Sequence, residues 1–288
     1  MNAGIRREKF AECVKMCEAI KIVQKGEVCH KSYSFYTSLG RVESMLKEDL
    51  PCLWLTRINS GAFDDLIENE KYGADEEQSR LFIKCFTYGF RESAAMWGLY
   101  CPATYKAIRV SVTEGAIKSL VKSKCVEISS GKPKSNTIRA KMHVSDVVYA
   151  SVKTKEDDPG RSTYLYWNGM RTKQVPSLFE DLHRKMTAGK LKDIEWSFED
   201  EARLIAKVPD PKKSQHIAVK LTSEFINGMS FTLSPWADED EDRMVRDKLA
   251  RLLRAVGRNN VSSENEKVFK PSVLKGALKK WAERRGLD

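Results

Sequence analysis

Residues 196–205 read Trp-Ser-Phe-Glu-Asp-Glu-Ala-Arg-Leu-Ile, and the conformation they take decides the fold. As a helix, Ser197 caps the stretch and Asp200 follows three residues later, a capping-box pattern. Phe198, Ala202 and Ile205 then form an apolar face. Glu199 and Arg203 become an i,i+4 ion pair, which stabilises a helix by only about 0.3–0.5 kcal/mol. As a strand, Glu199, Glu201 and Arg203 project from one face, because side chains alternate along a strand. Three ionisable groups on one sheet face add little to stability. They suit a polar cleft in which one carboxylate binds a hydroxyl and the other steadies a developing positive charge. The residues alone leave both conformations open.

Working outward, strand and helix patterns interleave irregularly. Residues 32–39, 52–56, 81–88, 107–112 and 143–152 are rich in β-branched and aromatic residues and predict strands. Shorter strands are expected at 216–221 and 230–234. Helices are expected at 5–22, 41–50, 91–100, 114–124, 239–256 and 271–285, and at 174–186, where Ser177 and Glu180 form a capping pair. Residues 129–136 and 153–162 read as polar loops. A Gly-rich phosphate turn and strict βαβ alternation are both missing, which favours α+β over a doubly wound sheet. The expected architecture is a single domain with a split, short-stranded sheet. Residues 1–236 form the core and 237–288 a basic helical extension packed on it.

The chain has 288 residues, enough for a substantial core, with 41% hydrophobic residues. No apolar run approaches the roughly 18 residues of a membrane span, and the first ten residues lack the apolar stretch of a signal peptide. Seven scattered cysteines argue against a disulfide framework. These features predict a cytoplasmic protein without a structural metal. The net charge of +10 is concentrated at the end: residues 243–288 carry 13 Lys and Arg against 5 Asp and Glu. That segment reads either as a polyanion surface or as solvated helix faces, and it lacks interleaved aromatics for base stacking. The acidic run Asp238–Asp242 precedes it.

Five short motifs in order resemble a large bacterial family whose domain has no assigned function. They are Phe35-Tyr-Thr-Ser-Leu39, the turn after Leu-Trp-Leu-Thr56 with Asn59, Phe63 and Asp64, Cys85-Phe-Thr87, Met96-Trp-Gly-Leu-Tyr100, and Trp196-x-x-Glu199-x-Glu201-x-Arg203. The chain departs from that family at the turn, which lacks an Asp-Pro. It departs again at Thr104 and Lys106, where the family has His and Gly. The same order of parts resembles the ADP-ribosyltransferases, whose closing strand carries Glu-x-Glu. Ser34 or Phe35 stands where that superfamily places an Arg or His.

The resemblance implies NAD as substrate and cleavage of its nicotinamide–ribose bond through an oxocarbenium-like state. Glu201 is expected to bind the ribose and steady that charge, and Glu199 to orient or deprotonate the acceptor. Tyr36 and Tyr100 are expected to sandwich the nicotinamide, with Thr87 on the ribose side, Thr37 also among the cofactor-binding residues, and Arg203 or a basic residue near the first strand at the pyrophosphate. A toxin or phage-defence effector acting on nucleic acid or an associated protein, controlled by an antitoxin, fits this reading. A carboxylate–metal nuclease using Glu199, Glu201, Asp64 and Asp65 is an alternative, as is a non-catalytic interaction module.

Overall fold

The computed structural model describes residues 32–47, 49–58, 79–89, 91–129, 132–153, 162–167, 170–175, 191–209, 214–278 and 280. The expected helix at 5–22 and the turn carrying Asn59, Phe63, Asp64 and Asp65 lie outside these residues.

The described chain opens with β1 (Ser32–Ser38) and α1 (Leu39–Met45), then β2 (Cys52–Arg57) and β3 (Leu81–Tyr88). Next come α2 (Ala94–Tyr100), β4 (Ala107–Thr113) and α3 (Glu114–Val121). An antiparallel pair follows, β5 (Cys125–Ser129) with β6 (Lys132–Ile138), and then β7 (Lys141–Asp146) leads into β8 (Val148–Lys153) of another sheet. Then come β9 (Ser162–Trp167), β10 (Met170–Val175) and β11 (Leu191–Asp193). A 3-10 helix (Ile194–Glu199) feeds β12 (Glu201–Lys207). The chain ends with β13 (His216–Lys220), α4 (Ser223–Asn227), β14 (Ser230–Leu233), α5 (Glu239–Ala255) and β15 (Phe269–Lys270). This is a mixed-sheet α+β fold with five α-helices among the described residues. No described helix is long and apolar enough to cross a membrane.

β3 organises the large sheet. Along one edge it pairs with β12 over its whole length. Along the other it pairs with β1 through Thr87 and Tyr88, and with β2 through Phe82 and Ile83. The sheet therefore forks at β3. One arm runs β1-β4-β14-β15 and the other β2-β13-β5-β6, while β7 lies outside β12. Between β7 and β12 the chain makes an excursion into a separate four-stranded sheet, β10-β9-β8-β11.

Alternation gives β1, β3, β4 and β12 two unlike faces. One face carries Tyr33, Phe35, Phe86, Val110, Leu204 and Phe231, all in the main hydrophobic core. Helices α1, α3, α4 and α5 cover it with Val42, Ile117, Phe225, Leu249 and Leu253. The caps are local: Thr113 and Thr222 accept from backbone N–H groups of the first turns of α3 and α4. The opposite face carries a row of paired residues, Glu201, Thr87, Ser34, Ser111 and Ser230, each opposite its neighbour on the next strand.

Three expectations need correction. Residues 132–138 form β6, not a loop; it is the edge strand of its arm, where a proline such as Pro133 and polar residues are tolerated. Gln174 and Val175 close β10 and so do not begin a helix, and the rest of that expected helix lies outside the described residues. Ser197 sits inside the 3-10 helix rather than capping an α-helix.

Candidate active site: a buried carboxylate pair and its cations

Residues 196–205 resolve as neither of the two simple readings. The 3-10 helix ends at Glu199, and Asp200 takes a φ of 43°, turning the chain before Glu201 starts β12. Glu199 is thus not on the strand, yet its carboxylate converges with that of Glu201.

Glu201 and Arg203 share one face of β12. The Arg203 Nε donates to Glu201 Oε1 at 2.7 Å and Nη2 donates to Oε2 at 3.1 Å, a two-pronged pair. Arg203 is fully buried and Glu201 is 3% exposed. Across the ladder, Thr87 stands opposite Glu201 and Cys85 opposite Arg203. Lys192, from β11, sends its Nζ to Glu199 Oε2 at 2.5 Å and to Glu201 Oε2 at 3.4 Å. The same ammonium lies 4.6 Å from the centre of the Trp196 ring. Tyr100, the last residue of α2, donates its hydroxyl to Glu199 Oε1. Two carboxylates and two cations balance, which lets the charges stay buried.

The two carboxyls differ sharply. Burial alone would raise Glu201, but Arg203, with help from Lys192 and Cys85, holds it down to about 2. Burial raises Glu199, and Lys192 and Tyr100 only partly oppose it. Burial and the neighbouring Glu199 push the Tyr100 hydroxyl up, so it remains a donor. Tyr100 is 43% exposed, and its chain neighbour Leu99 and the neighbour of Glu199, Phe198, are exposed apolar side chains.

The structure thus brings together Glu199, Glu201, Arg203, Tyr100 and Thr87. It separates Tyr36 and Thr37. Tyr36 shares the face of Ser34 but is packed edge-to-face on Trp97 at 4.9 Å, its hydroxyl accepting from the Ser93 N–H. Its ring is only 6% exposed and cannot sandwich a ligand with Tyr100 in this arrangement. Thr37, one residue on, points to the other face because the strand alternates. Arg203 faces inward, as counter-charge to Glu201, so a pyrophosphate contact is not where its side chain points. Lys192 escapes sequence reasoning altogether. It stands nine residues before Glu201 on another strand, and no spacing rule links them.

No group of three or more His, Cys, Asp or Glu side chains able to hold a metal occurs among the described residues. No family model matches the chain, and neither a curated protein nor a solved structure matches it.

Proposed function

We propose that the chain is an NAD-consuming enzyme of ADP-ribosyltransferase type. The supporting observation is the pair of buried carboxyls pushed in opposite directions, the pattern that divides acid–base labour between two like groups. Glu201, always ionised, steadies the ribosyl cation as the bond to nicotinamide breaks. Glu199, with the higher proton affinity and bonded to the half-exposed Tyr100, accepts the proton of the incoming hydroxyl or amine. Nicotinamide leaves with the bonding electrons, and ribose C1′ gains the acceptor atom. The cationic sugar takes the place of the Lys192 ammonium beside Glu201 Oε2, the longer of that lysine's two contacts. Thr87, directly opposite Glu201, supplies a hydroxyl on the ribose side.

A metal-nuclease reading is weaker, because Arg203 and Lys192 already supply the positive charge these carboxylates face. The basic C-terminal segment gives little support to a nucleic-acid acceptor. Arg246, Arg254 and Arg258 donate to backbone carbonyls, and Lys248 and Lys275 pair with Glu43 and Asp242.

The test is mass spectrometry of NAD incubated with the purified protein, alone and with bacterial lysate. The expected result is nicotinamide release, lost in both Glu201→Gln and Glu199→Gln variants that keep the wild-type circular dichroism spectrum. Intact NAD under all conditions would overturn the reading.

A further inference from the structure

Where β1 and β2 part from β3, the fork encloses a cavity of 670 Å³. That lies within the roughly 300–1,000 Å³ range of small-molecule sites. Thr37 of β1, Trp54 and Thr56 of β2, Lys84 of β3 and Arg41 of α1 are among its walls. Its walls come from both faces of the sheet: Thr56 is paired with Ile83, so Trp54 and Thr56 share the face of Cys85 and Arg203, while Thr37 and Lys84 project from the other. Cys85 faces Arg203, whereas its neighbour Lys84 projects from the other side of β3.

The chemistry of the walls is specific. Three cations, Arg41, Lys47 and Lys84, face the space with one carboxylate, Asp49. Lys84 stands over the Phe35 ring, its Nζ 4.4 Å from the ring centre. Burial lowers its pKa from the ordinary lysine value, with Cys85 opposing and Arg41 adding to the shift, and an anion beside it would favour the charged form. Arg41 is exposed and its guanidinium fork suits phosphate oxygens. Trp54 is half-buried, backed by His216 at 5.9 Å between ring centres, and His216 Nδ1 is 3.3 Å from the Thr56 hydroxyl. A fixed, half-exposed indole is a stacking platform for a planar ring.

We propose that the fork cavity binds a small phosphorylated ligand with a planar ring, of the nucleoside monophosphate class. Lys84 and Arg41 take the phosphate and Trp54 stacks the ring. Its phosphate ligand Lys84 projects from the opposite side of β3 from Glu201, and the proposal does not depend on the NAD reading.

Calorimetric titration of the full chain with AMP, adenosine and inorganic phosphate tests it. AMP is expected to bind at one site per chain and more tightly than either fragment. Lys84→Met and Arg41→Ala should each weaken AMP by roughly tenfold or more, the range for a lost charge-assisted hydrogen bond. Trp54→Leu should weaken AMP and leave inorganic phosphate unchanged. A 5′-phosphorylated oligonucleotide that displaces AMP would assign the same chemistry to a strand end, and one that does not would assign it to a free nucleotide. No AMP binding, or AMP binding unaltered by Arg41→Ala and by a folded Lys84→Met, would overturn the proposal. Arg41 is exposed, so its variant tests the site without disturbing the core.

Discussion

Glu199 and Glu201 stand two residues apart and hold protons in opposite ways, which makes stability depend on pH in two windows. Glu201 sits at about 2, below the ordinary value of about 4.3 for an unfolded glutamate. The unfolded chain therefore takes up a proton first. The contribution of Glu201 is full above about pH 4.3 and is lost as pH falls toward 2. Glu199 is raised, so its contribution is present below the ordinary value and disappears as pH rises through its folded value. Unfolding free energy measured against pH should show both limbs. Glu201→Gln should flatten the acid limb and Glu199→Gln the upper one; a profile unchanged by either would contradict the network. Lys192→Met should cost on the order of 3–5 kcal/mol in denaturant unfolding, because it strands buried negative charge. Adding Glu199→Gln to that variant should recover part of the loss, a coupling that a merely structural lysine would not show.

Among the elements, the junction between the 3-10 helix and β12 carries the most information. Asp200 occupies the left-handed region, and its carbonyl accepts from the Tyr88 N–H at 2.9 Å. Aspartate tolerates that conformation and a β-branched residue does not. Asp200→Val is expected to destabilise by about 1–2 kcal/mol, and Asp200→Gly to be near neutral, in parallel urea melts. This junction also shows where reading the sequence stops. The strand from Leu81 to Tyr88 is legible because aromatic and β-branched residues flank its one lysine on both sides, and α5 because its apolar positions recur at helical spacing. Residues 196–205 are illegible because the run changes conformation in the middle, at one residue with positive φ, and no local propensity announces that. Tyr100 and the glutamates belong to motifs, so the contact between Tyr100 and Glu199 is half-visible. Lys192 is invisible, since its contact depends on how the excursion sheet returns. Tyr36 and Thr37 enter through the family resemblance, and as neighbours on one strand they face opposite ways. The packing of Tyr36 on Trp97 is the part that the sequence hides.

At the scale of the whole molecule, the acidic run and basic end serve the fold. Asp238 and Glu241 form a reciprocal cap on α5, and Asp242 pairs with Lys275 at 2.7 Å. Val245, Leu249, Leu253, Val268 and Phe269 all belong to the main core, and β15 extends the sheet beside β14. A chain ending at residue 236 should therefore fail to fold, giving no cooperative melt. Leu249→Ala in the full chain should cost about 2–5 kcal/mol. The excursion sheet is a different case. β7 and β12 are antiparallel neighbours, and the Val147 N–H donates to the Glu201 carbonyl at the point where the chain departs and returns. The scaffold thus meets itself across the gap, as a hairpin does, and the residues between can be lengthened, replaced or exchanged over evolutionary time without reopening the sheet. Yet that same segment delivers the ammonium that neutralises the glutamates. A change in the excursion therefore alters the charge balance at Glu199 and Glu201 while the sheet that carries Glu201 stays as it is.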